Sequence, residues 1–174
     1  MSSMEELRAN EVKWTSVPPR TLGAAEAGQG LVLRKIFPAA RPRHSGWPTI
    51  RFFDGEPTQH LKGCYFDIDP DSIWVSIALG DLAETCAVSA HESVHSVSIA
   101  SEQTASTIGR LAARYWTGQA ELFVHHGWPA PDFRPEDARL SSKAVLLVIE
   151  NGAHMYVNDG TTRDIRWRRV SAIA

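Results

Sequence analysis

The chain has few cysteines and no long apolar run. Two cysteines, Cys64 and Cys86, cannot build a disulfide framework or a four-cysteine zinc site, and both are expected to be reduced and packed. No apolar stretch approaches the roughly 18 residues that a membrane span needs. The polar start, Met1-Ser2-Ser3-Met4-Glu5-Glu6, also lacks the basic and apolar regions of a signal peptide. We therefore expect a cytoplasmic protein with no membrane partner.

The chain also lacks a large excess of either positive or negative charge. The formal net charge of -2 gives no reason to expect a nucleic-acid partner, although Arg163, Arg166, Arg168 and Arg169 make the C-terminal part locally basic. A cluster of this kind is more typical of a solvated strand end than of a binding surface. With 174 residues, 43% of them hydrophobic and 22% charged, the composition excludes disordered and fibrous classes and predicts one globular domain.

The first half of the chain reads as an irregular lead-in followed by strands. Residues 1–30 mix charge with proline and glycine and predict at most one short helix, near 4–13. Alternating side chains make residues 72–79 the clearest strand, because Ile73, Val75, Ile77 and Leu79 share one face. Three weaker strands are predicted at residues 31–37, 49–53 and 63–66.

Two long helices are predicted at the centre of the sequence. Asp81 with Glu84 three residues later is a capping signal, which predicts a helix from there to about Ser101. Residues 102–126 predict a second helix, with Gly118 as a weak point. The remainder predicts a short helix at 135–139 and strands at 143–150, 154–157 and 164–170, joined by Asn-Gly and Asp-Gly turns.

These patterns predict an α+β fold, with two central helices packed on a small, mostly antiparallel sheet and β hairpins at the C-terminal end. We expect one domain over residues 1–174. Within it, residues 1–30 form the lead-in, 31–130 the metal-binding core and 141–174 the hairpins.

The first predicted long helix contains an H-E-x-x-H sequence, His91-Glu92-Ser93-Val94-His95. Four residues of helix bring both imidazoles to one face, one turn apart, where they can bind a single ion. Glu92 projects beside that ion, where it can take a proton from a metal-activated water and return it to a leaving amine. This pattern is typical of zinc metallopeptidases and predicts a Zn²⁺ cofactor.

A tetrahedral catalytic zinc needs a third protein ligand. The candidates are Glu102, Glu121, His125, His126 and His154. We prefer Glu121, because a second helix that returns antiparallel would carry it back towards His95, whereas Glu102 lies near the turn and is expected to point away. His125 remains an alternative ligand or a partner that orients one, and His126 is expected to be a surface residue near the helix end.

The stretch from Gly63-Cys64-Tyr65 through Ile73-Trp74-Val75-Ser76 and the motif helix to Gln119-Ala120-Glu121-Leu122-Phe123 and Gly127-Trp128-Pro129 resembles the zincin metallopeptidase core. It is similar in particular to the minimal gluzincins of the ImmA/IrrE type, from bacteria and their phages and other mobile elements. The resemblance implies that a substrate peptide lies along the strand before the motif helix. It also implies a third ligand from a glutamate on the following helix, at an aligned position where this chain has Gln119.

Three functions follow from these patterns. The first is a zinc-dependent peptidase with His91, His95 and Glu121 as ligands and Glu92 as general base. An extended protein or peptide substrate would pair along Ile73–Leu79, and Tyr115, His125 or His154 would stabilise the oxyanion. The second is a zincin-shaped binding or regulatory module that no longer cleaves. The third is a protein-binding function of the C-terminal hairpins, for which Trp167 is the supporting feature.

Overall fold

A computed structural model describes residues 4–39, 46–54, 61–127, 143–149, 153–158, 160 and 166–173. The fold is α+β, as predicted, and its strands form two separate four-stranded sheets. The chain divides into two compact units, residues 1–113 and 114–174. The single domain of the sequence analysis stays a prediction. Within the described ranges, no helix combines the length and apolar character needed to cross a membrane.

The first unit contains most of the helices and one mixed sheet. Its helical segments are α1 (Met4–Ala9), a 3₁₀ turn (Trp14–Ser16), α2 (Pro19–Gly30), a π-helix (Leu31–Ile36), α3 (Leu82–Ser96) and most of α4 (Glu102–Trp116). Its strands are β1 (Glu11–Val12), β2 (Thr49–Phe53), β3 (Gly63–Cys64) and β4 (Ser72–Ser76).

The first sheet has the order β1-β2-β4-β3, with β2 and β4 parallel and the two outer strands antiparallel to their neighbours. Side chains alternate between its two faces, so each face has its own apolar cluster. Phe52 and Val75 pack with Ala25 of α2 on one face. Phe53 and Trp74 pack with Leu7 of α1 on the other. The parallel strands are therefore covered on both faces, as parallel sheets require.

Helix α3 is capped as the sequence predicts and is held closely by its neighbours. Asp81 is the N-cap, and its Oδ1 accepts a hydrogen bond of 2.6 Å from the Glu84 backbone N–H. A Cβ at Gly28 of α2 would overlap the Cys86 carbonyl oxygen, and one at Gly109 of α4 would lie 2.7 Å from the Ala87 oxygen. Glycine at these two positions allows α2 and α4 to approach the α3 backbone closely.

Three predictions about the helices were wrong. Residues 19–30 are helical and do not belong to an irregular lead-in. The predicted strand at 31–37 is instead the π-helix, which continues α2 and buries Leu31, Val32, Leu33 and Ile36. The helix predicted to reach His126 ends at Trp116, because Gly118 takes a left-handed conformation (φ 76°) and ends it.

The second unit is a sheet with the order β5-β6-β7-β8. Its strands are β5 (Glu121–His126), β6 (Ala144–Ile149), β7 (Ala153–Asn158) and β8 (Trp167–Ile173). The predicted strands at 143–150, 154–157 and 164–170 correspond to β6, β7 and β8, whereas β5 lies where a helix was expected. The predicted helix at 135–139 and the Asn151-Gly152 turn lie outside the described residues.

Candidate metal centre

Helix α3 places His91 and His95 on the same face, one turn apart, as the motif predicts. Their Nε2 atoms are 3.2 Å apart, and the rings meet edge to face with centroids 4.9 Å apart. Both side chains are largely buried, with 20% and 13% of their surface exposed. The two nitrogens therefore point to one shared position.

Glu102, the first residue of α4, forms a group of three side chains with His91 and His95. Its Oε2 lies 3.1 Å from Nε2 of His91, and its Oε1 lies 2.8 Å from Nε2 of His95. The chain between α3 and α4 is short, and Ser98 takes a left-handed conformation in it (φ 68°). Ser101 then starts α4 by accepting a hydrogen bond from the Thr104 N–H. This tight connection folds Glu102 back over the last turn of α3.

The other nitrogen of each ring is engaged by a polar group. Nδ1 of His95 lies 2.8 Å from the Ile99 carbonyl oxygen, which can only accept, so Nδ1 carries the proton. Nδ1 of His91 lies 3.3 Å from the Ser106 hydroxyl. Partners of this kind fix the tautomer and orientation of metal-binding histidines. The Ile99 contact leaves the Nε2 lone pair of His95 directed at the shared position, whereas the Ser106 hydroxyl, which can donate or accept, orients the ring of His91.

This donor set fits a divalent cation. Two Nε2 atoms and a carboxylate face one another at 2.8 to 3.2 Å, and a proton or a cation between them would remove the repulsion among their lone pairs. A tetrahedral zinc with bonds of ~2.0–2.1 Å holds its ligand atoms about 3.3 Å apart, and the two Nε2 atoms are 3.2 Å apart. His91, His95 and Glu102 form a group whose ligand atoms lie within 4.8 Å of one another.

The protonation state of His91 also favours metal binding. Burial lowers the pKa of this histidine, and the neighbouring His95 lowers it further, although the charge of Glu102 opposes both. The neutral imidazole is therefore favoured at neutral pH, which is the form that binds metal.

Glu92 lies beside the group and outside it. Its Oε1 is 3.8 Å from Nε2 of His91, and the residue is only 7% exposed. Gly63 of β3 lies against it, since a Cβ there would be 3.1 Å from Cγ of Glu92. Burial, followed by the negative charge of Glu102, raises the pKa of Glu92 to about 8. A carboxyl group with a pKa near the working pH can both accept and return a proton.

A cavity of about 560 Å³ opens over this group. The segment 61–65 forms one wall, and the exposed faces of α3 and α4 form the others, including Ser106, Gly109 and Arg110. The ligand atoms are therefore reachable from outside and are not sealed in the core. An accessible site of this kind can admit a substrate.

The structure contradicts the reason for choosing Glu121 as the third ligand. Glu121 was preferred for its place on the second helix, and that premise is wrong because Glu121 is the first residue of β5 in the second unit. Glu102, which was expected to point away, lies in the group instead. The usable sequence signal was Ser101, a residue type that caps helices, because it marks a tight turn directly before Glu102.

The other predicted site residues also lie in the second unit. Tyr115 is in the last turn of α4, His125 is on β5 and His154 is on β7. The residues that line the cavity all lie between 61 and 110, in the first unit. His126, expected at the surface, is exposed at the end of β5.

The predicted substrate strand needs correction as well. β4 pairs with β2 on one side and with β3 on the other, where Gly63 faces Val75 and Cys64 faces Trp74. A peptide cannot pair along β4 at these residues. In the described part of the chain β3 is one of the two edge strands of this sheet, and it lies beside the cavity.

Comparison of the chain with models of known protein families, with curated proteins and with solved structures found no match. A functional assignment therefore depends on the geometry of this centre and on the chemistry of its residues.

Proposed function

We propose that the chain is a zinc-dependent peptidase in which His91, His95 and Glu102 hold the ion and Glu92 is the general base. The observation that carries the proposal is the convergence of two Nε2 atoms and one carboxylate on a single position at 2.8 to 3.2 Å. Glu102 takes the place that the sequence analysis gave to Glu121.

The number of ligands favours catalysis over a purely structural ion. Structural zinc sites are closed by four protein ligands, whereas catalytic sites have three and keep one position open. The group of described residues offers three, and the cavity gives access to it. Bound zinc would supply a water of lowered pKa and would polarise a substrate carbonyl.

The protein's own residues have separate tasks in this reaction. Ile99 and Ser106 hold the two imidazoles in the orientation that ligation needs. Glu92 takes a proton from the attacking water and returns it to the leaving amine. The charge of Glu102 contributes to the raised pKa of Glu92, so a cation held by Glu102 would lower that pKa and favour the basic form.

The substrate would be an extended protein or peptide segment. β3 is the edge strand beside the cavity, and an extended segment can add to such an edge through backbone hydrogen bonds. Gly63 keeps this strand close to Glu92. A segment paired there would run past the ion and the base together.

Replacement of Glu92 by glutamine tests the proposal. Glu92→Gln keeps size and hydrogen bonding but removes the base, so it should retain zinc and fold while slowing peptide hydrolysis by at least about a hundredfold. Cleavage of an unbiased peptide library and zinc content are measured on both proteins. Equal cleavage by the two proteins would contradict the role of Glu92 as general base. No cleavage by the zinc-loaded wild type would replace this proposal with the non-cleaving binding module.

A further inference from the structure

Arg110 is a cation on the cavity wall that the proposed reaction does not use. It lies on α4 one turn after Ser106, whose hydroxyl is 3.3 Å from Nδ1 of His91. Residues four apart on a helix are neighbours on one face, with Cβ atoms about 5–6 Å apart. Gly109, the preceding residue, packs against His91, since a Cβ there would lie 3.5 Å from the histidine Cβ. Arg110 therefore borders the candidate metal centre.

The charge of Arg110 has no carboxylate partner among the described residues. Its guanidinium is 3.5 Å from the Thr107 hydroxyl, which is a weak contact and a neutral one. The other cation of the cavity, Lys62, differs in this respect because its ammonium group is paired with Glu84. Of the cavity's acidic groups, Glu102 is directed at the two histidines. The Arg110 guanidinium is therefore available to bind an anionic group of a ligand in the cavity.

We infer that Arg110 binds a carboxylate of the substrate, so that the site prefers peptides with a negative charge close to the scissile bond. This inference rests on the proposed function. Arginine suits the task because its planar fork can donate two parallel hydrogen bonds to one carboxylate. Arg110 lines the same cavity as the three candidate ligands, so the carboxylate would belong to the part of the peptide that lies in this cavity.

The carboxylate has two sources in a peptide. It can be an acidic side chain, which would make the enzyme an endopeptidase with acidic specificity. It can also be the C-terminal carboxylate, which would make the enzyme a carboxypeptidase. Both present the same group to the guanidinium, and synthetic probes can separate them.

Three zinc-binding probes test the inference by competition binding to the zinc-loaded full chain. Each joins a hydroxamate to a dipeptide: Glu-Ala amide, Gln-Ala with a free C-terminal carboxylate, or neutral Gln-Ala amide. At least one carboxylate probe should bind wild type about tenfold more tightly than the neutral probe, as expected for a charge-assisted hydrogen bond. The probe that gains affinity identifies the source.

The advantage should disappear in Arg110→Gln and persist in Arg20→Gln, which removes an exposed arginine of α2 away from the cavity. Equal binding of all three probes to wild type, or an advantage that survives in Arg110→Gln, would overturn this inference alone. Failure of all three probes to bind the zinc-loaded protein would overturn the proposed function and this inference with it.

Discussion

The Ile99 carbonyl oxygen lies 2.8 Å from Nδ1 of His95 and fixes the orientation of the ring. This one contact decides which nitrogen carries the proton and so which nitrogen can bind a metal. The Ser106 hydroxyl has the same position relative to His91. Neither partner belongs to the H-E-x-x-H motif, because both come from chain that follows α3. The motif predicts the two histidines, and the turn and α4 set their orientation.

The two thiols give a prediction at the same scale. Burial raises the pKa of Cys64 and of Cys86 to about 11, and for Cys64 the negative charge of Glu92 adds to the effect. Because the thiolate is the reactive form, a rise from 9.0 to about 11 should slow alkylation about a hundredfold at pH 8.

Iodoacetamide labelling of the metal-free protein, followed by mass spectrometry of each cysteine peptide, measures these rates. Both cysteines should react much faster in urea, where the burial is lost. Equal rates in the native and unfolded protein would contradict the packing described for Cys86. A fast native rate at Cys64 alone would contradict its burial and its place near the Glu92 carboxylate.

At the scale of elements, α3 depends on close contact with α2. Gly28→Ala would drive a Cβ into the Cys86 carbonyl oxygen, which is backbone and cannot move aside without shifting the helix. We expect this change to lower the free energy of unfolding by about 1–3 kcal/mol, the usual cost of overpacking.

Gly23→Ala is the matched control on the same helix. Gly23 is exposed, and a Cβ there would meet nothing within 4 Å. This substitution should raise the free energy of unfolding by roughly 0.5–1 kcal/mol, since alanine is the better helix former. Urea unfolding of both variants measures the difference. Stabilisation by Gly28→Ala would show that α2 and α3 are not packed as described.

The elements that the sequence predicts well have a clear local signal. The Asp81 cap and the alternation around Val75 depend on neighbouring residues alone. The cap is confirmed, and the strand predicted at 72–79 is confirmed over Ser72–Ser76. Residues 31–36 have no such signal, because a short apolar run suits a strand and a buried helical segment equally. Helix α2 precedes this run, and the run continues it as a helical segment. The sequence does not predict α2, because its glycines weaken the helix signal.

On the scale of the whole molecule, the proposed third ligand, Glu102, could not be predicted from the sequence pattern. His91 and His95 are fixed by helical spacing, so one helix is enough to predict them. Glu102 is brought to them by the exact end of α3 and by a short turn, and helix ends are the least predictable part of a sequence. The sequence predicts α3 to about Ser101 and the second helix to His126, whereas these helices end at Ser96 and Trp116. These two errors led to Glu121 in place of Glu102.

The central claim is that His91, His95 and Glu102 bind one zinc ion, and zinc affinity measured by chelator competition tests it most directly. The Glu102 side chain is 76% exposed, so Glu102→Gln should fold normally. Losing a group that only orients a ligand costs about 10–100-fold in affinity, so losing this ligand should cost at least about a hundredfold. Glu121→Gln should bind one zinc as tightly as wild type. Unchanged affinity in Glu102→Gln, or a loss confined to Glu121→Gln, would contradict the account.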